Sequence, residues 1–312
     1  MHIPDGFLDS KTAISTAILS AVAVGGALRH ARQSIPPRSV PLMGLAAAFV
    51  FAAQMLNFPV AAGTSGHLMG AVLSVVLLGP SGGILVMTAV LLVQSLFFAD
   101  GGLVALGANV LNMAVVATLI GYGVFRLMLR ALPGDRGRVV AVAFASWCST
   151  VLASVLCAGE LAWSGTAPWG AAFPAMANVH MIIGIGEALI TSLVIVGLAR
   201  ARPELLKLGA SQVPLGSGVV YGMVLLAALA VFVSPFASPW PDGLEHVAAS
   251  LGFDQRAAAQ GLQYAPMADY RIPGIGSPAA ATVLAGAVGS LLVFAFSFVL
   301  ARVLVPSPRP PV

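Results

Sequence analysis

The chain alternates long apolar runs with short polar joints. About 20 apolar residues cross the ~30 Å hydrocarbon core of a bilayer as a helix. Nine segments fit that pattern, near 13–33, 40–56, 66–79, 82–98, 104–128, 139–163, 176–199, 215–235 and 279–301. The third is short and reads as a tilted or half-buried helix, with Gly79-Pro80-Ser81-Gly82-Gly83 turning the chain after it. The predicted fold is therefore all-α, a polytopic helical membrane protein, because a helix satisfies its own backbone in lipid. Composition agrees. Hydrophobic residues make up 59% of 312 and charged residues 8%, against about 25% charge in soluble domains.

The few charges orient the segments. One set of joints carries Arg29, Arg32 and Arg38, then Arg126, Arg130, Arg136 and Arg138, then Arg200, Arg202 and Lys207, then Arg302 and Arg309. The other side carries only Lys11, Arg256 and Arg271. The basic side is cytoplasmic by the positive-inside rule, which predicts an outside N-terminus and a cytoplasmic C-terminus in a bacterial cytoplasmic (inner) membrane. The net charge of +4 thus reflects topology and lipid, not nucleic acid. The start lacks the basic region of a signal peptide, and a large second residue disfavours methionine removal, so Met1 is expected as the mature terminus. No GxxxxGK[ST] motif occurs, which excludes ATP hydrolysis by the P-loop route.

Composition shifts after Arg202-Pro203-Glu204. Residues 1–205 read as one unit of seven spans, 206–214 as a linker, and 215–312 as two spans around an outside loop of roughly 40 residues. Two helices around a soluble loop bury too little surface to stand alone. The second unit is expected to dock on the first.

Met1-His2 is the most informative dipeptide. It offers a free amine, a backbone nitrogen and an imidazole, which can close two fused chelate rings around Ni(II), Cu(II) or Co(II). Pro4-Asp5-Gly6 then reads as a turn. The competing reading is a histidine on a frayed end. Near the outer face, Gly63-Thr64-Ser65-Gly66-His67 and Gly70 surround one histidine with backbone-permissive residues. Such a loop can hold His67 toward the terminus, with Ser65 beside it, or it can be a small-residue packing motif. Gln54, Asn57, Gln94, Asn109 and Asn112 lie near the outer ends of their spans. They either orient metal-bound histidines, with Asn109 and Asn112 the stronger candidates, or bond between helices. His180 and Glu187 share roughly one helix face, and an acid inside a span faces the bundle interior. Cys148 and Cys157 lie in one apolar segment and read as packing residues.

These motifs resemble one family. Met1-His2-Ile3-Pro4-Asp5-Gly6-Phe7-Leu8, Gln54-Met55-Leu56-Asn57-Phe58-Pro59-Val60 and Gly63-Thr64-Ser65-Gly66-His67-Leu68 are similar to CbiM/NikM proteins. So are Asp100-Gly101-Gly102, Gly107-Ala108-Asn109-Val110-Leu111-Asn112-Met113, and the stretch from Ile182 to Thr191. That family is the substrate-capturing subunit of cobalt and nickel energy-coupling-factor transporters. The tail, with Pro241-Asp242-Gly243-Leu244-Glu245, resembles the PDGLE domain related to a small accessory subunit. The resemblance implies metal ligation by the Met1 amine, the His2 backbone and ring nitrogens, and His67. It implies Ni(II) or Co(II) as bound substrate, with Pro4-Asp5 more like nickel members. It also implies a transmembrane coupling subunit and two cytoplasmic ATPases as partners. Two alternatives stand: a membrane-embedded metallohydrolase using His67, His180 and Glu187, and a passive metal channel.

Overall fold

The computed structural model describes residues 1–61, 63–206, 222–223, 233, 237–257 and 265–304. The chain is helical almost throughout. Helices α1 (Ser10–Ser34), α2 (Val40–Gln54), α3 (Ala71–Phe98), α4 (Leu106–Ala131), α5 (Gly134–Trp163) and α6 (Trp169–Ala201) form the first unit. Helices α7 (Gly243–Leu251) and α8 (Pro278–Leu304) belong to the second. Among the described residues, six helices are long and apolar enough to cross a membrane, and α2 is a shorter apolar helix. The linker and the eighth expected span, 215–235, lie outside the described residues except for Leu206, Gly222, Met223 and Val233.

Sequence sets the ends of these helices. Asp9 caps α1 by accepting from the Thr12 N–H. Asp242 and Glu245 form a reciprocal capping box on α7, and Gly252, at φ 74°, closes it. The large apolar side chains left exposed on α1 and α6, among them Ile14, Val22, Leu189 and Leu193, suit a helix face against lipid.

The expected third and fourth segments meet at Gly79, whose φ of 74° and ψ of 174° break α3. A Cβ built on Gly83 would lie 3.3 Å from the Val75 backbone. Eight residues of straight helix would separate them by about 12 Å, so the chain folds back on itself there. Before this hairpin, residues 58–61 and 63–70 are not helical. Phe58–Pro59 and Ser65–Gly66 pair as a two-stranded antiparallel ribbon, and α3 begins only at Ala71. This stretch has buried backbone that a helix would have satisfied internally. Glu187 of α6 accepts the N–H of Met69 (2.5 Å) and of Gly70 (3.0 Å). The Gln54 side-chain N–H donates to the Met69 carbonyl at 2.7 Å. Irregular backbone is thus tolerated because protein groups replace the missing bonds.

The second unit docks on the first through glycines. A Cβ on Gly44 of α2 would stand 2.9 Å from the Phe294 ring of α8, and one on Gly289 would stand 2.2 Å from the Phe51 ring. Cys157 is buried in the core and Cys148 half-buried on α5.

Candidate metal centre

The amino terminus is folded into the protein. Met1 is 5% exposed, His2 8% and Ile3 0%, which removes the frayed-end reading. Three contacts hold it. The Asn109 side chain accepts the Ile3 N–H at 2.8 Å and donates to the Ile3 carbonyl at 3.0 Å. The Gly102 N–H also donates to the Ile3 carbonyl, at 2.9 Å. The Asp5 carboxylate accepts N–H groups of Leu103, Val104 and Ala105 just before α4. The close approach requires glycine at 102, where a Cβ would sit 2.0 Å from an Asp5 oxygen.

Held this way, the Met1 nitrogen lies 3.0 Å from His67 Nε2. His67 Nδ1 lies 3.1 Å from the Leu68 carbonyl. An N–H at Nδ1 donating to that oxygen leaves the Nε2 lone pair directed at the amine. The His2 and His67 rings are 5.2 Å apart, centroid to centroid. His2 Nε2 is 3.1 Å from the Gln94 side-chain oxygen. Gln94 in turn donates to Gln54 at 2.8 Å and to the Tyr270 hydroxyl at 3.1 Å. A continuous polar chain therefore runs from His2 through Gln94 and Gln54 to the backbone beside His67. Gln94 is the amide that bonds His2, while Asn109 fixes the Ile3 backbone next to it.

Two carboxylates face the nitrogen donors. Asp242 Oδ2 lies 2.5 Å from the Met1 amine and 3.9 Å from His67 Nε2. Asp100 Oδ1 lies 3.1 Å from His2 Nδ1 and its other oxygen accepts from the Tyr270 hydroxyl at 2.5 Å. Burial works to raise the Asp242 pKa, but the Met1 ammonium, His67 and the Glu245 N–H outweigh it and hold the carboxyl well below the usual range. Burial lowers the His2 pKa, with Asp100 opposing, and the neutral form of the ring is the one that binds a metal. Beside the donors, a cavity of about 280 Å³ opens, lined by His2, Asn57, His67, Asp100, Asp242 and Asp269 among others.

Other predicted residues make different contacts, although His180 lines a small pocket together with Met1, His67 and Asp242. Asn112 donates to Glu160 of α5 at 2.7 Å, an interhelical bond away from the histidines. Glu187 spends both oxygens on the Met69 and Gly70 amides. His180 Nδ1 bonds the Met176 carbonyl at 2.9 Å, and its ring packs on Gly243. The His67–His180–Glu187 hydrolase site is not assembled. Among the described residues, no three His, Cys, Asp or Glu side chains gather as a metal cluster. Ser65 reaches the second unit: its hydroxyl donates to the Trp240 carbonyl at 2.7 Å and its N–H to the Pro241 carbonyl at 2.9 Å. Sequence reasoning missed Asp242 and Asp100 as groups on the donors. Both sat in quoted motifs, Pro241-Asp242-Gly243 and Asp100-Gly101-Gly102, which were the available signal.

A helical multi-pass architecture with a buried terminus against His67 defines the class as a polytopic membrane protein, and similarity to known proteins places it among metal transport proteins. A family model described as cobalt uptake substrate-specific transmembrane region matches residues 2–205, and a PDGLE domain model matches 216–305. The chain belongs to the CbiM family. It is 37% identical to a protein of Archaeoglobus fulgidus named putative fused nickel transport protein NikMN, over 97% of this chain and 98% of that one. A putative metal transport protein of Haloquadratum walsbyi is 44% identical over 66% of this chain and 93% of its own length. A crystal structure of a truncated transition metal transporter superposes with a TM-score of 0.59 at 34% identity, covering 64% of this chain and 99% of that one.

Proposed function

We propose that this chain is the substrate-capturing subunit of an energy-coupling-factor transporter that imports Ni(II), with Co(II) as the alternative substrate. Residues 1–205 capture the metal, 206–214 link, and 215–312 form the accessory unit. The ligands are the Met1 amine, the His2 backbone nitrogen, His2 Nδ1 and His67 Nε2. One observation carries this reading: the buried Met1 nitrogen stands 3.0 Å from His67 Nε2. Four nitrogens in a plane suit Ni(II). The names of the fused relatives favour nickel; the family description favours cobalt.

Capture proceeds from outside, where Met1 and His67 meet. Binding needs the amine and the backbone amide to lose protons, so affinity rises with pH. A transmembrane coupling subunit and two cytoplasmic ATPases then supply the energy from the Arg-rich face. His67→Ala tests the ligand set. The purified variant is expected to unfold within a few degrees of wild type yet to lose stoichiometric Ni(II) binding in equilibrium dialysis. Wild-type affinity in that variant removes His67 from the site.

A further inference from the structure

We infer that Asp242 is a latch: in the metal-free protein its carboxylate occupies the Met1 amine, and metal must displace the Pro239–Glu245 segment to load. This deepens the proposed function and rests on its ligand set.

The geometry gives Asp242 two jobs at once. Its Oδ1 accepts the Glu245 N–H at 2.9 Å and so caps α7. Its Oδ2 lies 2.5 Å from the Met1 nitrogen. The amine therefore points at a carboxylate across the place where a metal would sit between Met1 and His67. Met1 is buried and Asp242 half-buried, so this ion pair is partly shielded from solvent screening. The segment that brings Asp242 there is pinned on both sides. Ser65, two residues before His67, binds the Trp240 and Pro241 carbonyls. Gly243 seats against the His180 ring, where a Cβ would lie 2.8 Å from the ring carbon Cε1. Asp242 also lines the mouth that a cation would use, the 280 Å³ cavity beside His2 and His67.

The ion pair holds the amine as an ammonium, which has no lone pair to give to a metal. Loading thus requires the Asp242 contact to break, and the Ser65 clamp is the hinge that sits next to it. The apparent affinity is the intrinsic affinity reduced by the fraction of molecules that are unlatched. If the latch is closed in about nine molecules of ten, removing it tightens apparent binding about tenfold.

The test uses Asp242→Asn in the full chain, because asparagine is as good a helix cap as aspartate and removes only the charge. Titration with NiCl2 is expected to show about tenfold tighter binding than wild type. An amine-reactive reagent is expected to label Met1 faster in the metal-free variant than in metal-free wild type. Hydrogen exchange on unmodified protein gives a second reading that needs no variant: nickel is expected to deprotect the Ser65 amide, whose acceptor is Pro241. Unchanged affinity in Asp242→Asn, or a Ser65 amide that nickel leaves protected, overturns the latch. Weaker nickel binding in the variant also overturns it and makes Asp242 a ligand. A parallel sample with the Met1 amine acetylated, which leaves no primary amine at the terminus, separates the two ideas. If it binds nickel like wild type, the ligand set itself is wrong. If it fails to bind while Asp242→Asn matches wild type, only the latch is wrong.

Discussion

At the scale of single residues, burial converts an ordinary chain start into chemistry. An exposed amine and imidazole are common; here both are buried, with the amine 3.0 Å from His67 Nε2 and the His2 ring 5.2 Å from the His67 ring. Asn109 does much of that positioning, with two bonds to the Ile3 backbone. Asn109→Ala leaves a buried N–H and carbonyl without those partners, at a cost of about 1–3 kcal/mol. We expect Ni(II) affinity to fall between roughly tenfold and a hundredfold, read by isothermal titration; unchanged affinity shows that Ile3 is held without it. His2 adds a pH dependence. Its pKa is lowered in the folded state, so below its usual value of 6.5 the unfolded chain binds more protons than the folded one. Stability is therefore full above pH 6.5 and falls as the pH drops further. Thermal melts of wild type from pH 7.5 to 5 are expected to converge on those of His2→Gln; a constant gap contradicts the assignment. The donors were legible in sequence because they lie in short motifs. The carboxylates on them were not, because Asp242 reaches Met1 across the whole length of the chain. For Asn112 helical spacing gave a face and left two readings open, and its bond to Glu160 is the interhelical one.

At the scale of elements, the decisive feature is the break before α3. The sequence shows it only as Gly63, Gly66 and Gly70 near an apolar run, so the expected short segment and the turn at Gly79 were legible, but the extended backbone was not. Nor was the purpose of Glu187. Its seven-residue spacing from His180 marks one helix face, yet the carboxylate serves the amides of Met69 and Gly70 instead of a metal. Replacing it tests this. Glu187→Gln keeps one acceptor oxygen and turns an N–H toward the second amide. The loss of one buried bond costs about 1–3 kcal/mol, and the melting temperature in detergent is expected to fall. Equal melting temperatures contradict the capping role.

At the scale of the whole molecule, the second unit packs on the first and reaches its amino terminus. Helix α8 packs its glycine on Phe51 of α2, and α7 delivers Asp242 to the terminus. The chain has no P-loop, so reconstituted alone it is expected to accumulate no nickel when ATP is added, and uptake is expected to appear with coupling and ATPase subunits present. ATP-driven accumulation by the chain alone contradicts the division of labour.

The central claim is that the terminal amine is a ligand, and moving that amine by one residue tests it most directly. One alanine before Met1 preserves every side chain and span. It turns the Met1 nitrogen into an amide, and the fused rings on His2 no longer close with it. The new amine can chelate metal in another register, but its extra nitrogen competes with His67 for the plane. Uptake of Ni(II) and Co(II) at limiting metal, measured with the extended chain and its partner subunits, is expected to be lost even where some binding survives. Acetylation of the native amine is expected to be more severe. Uptake at the wild-type rate after either change contradicts the account.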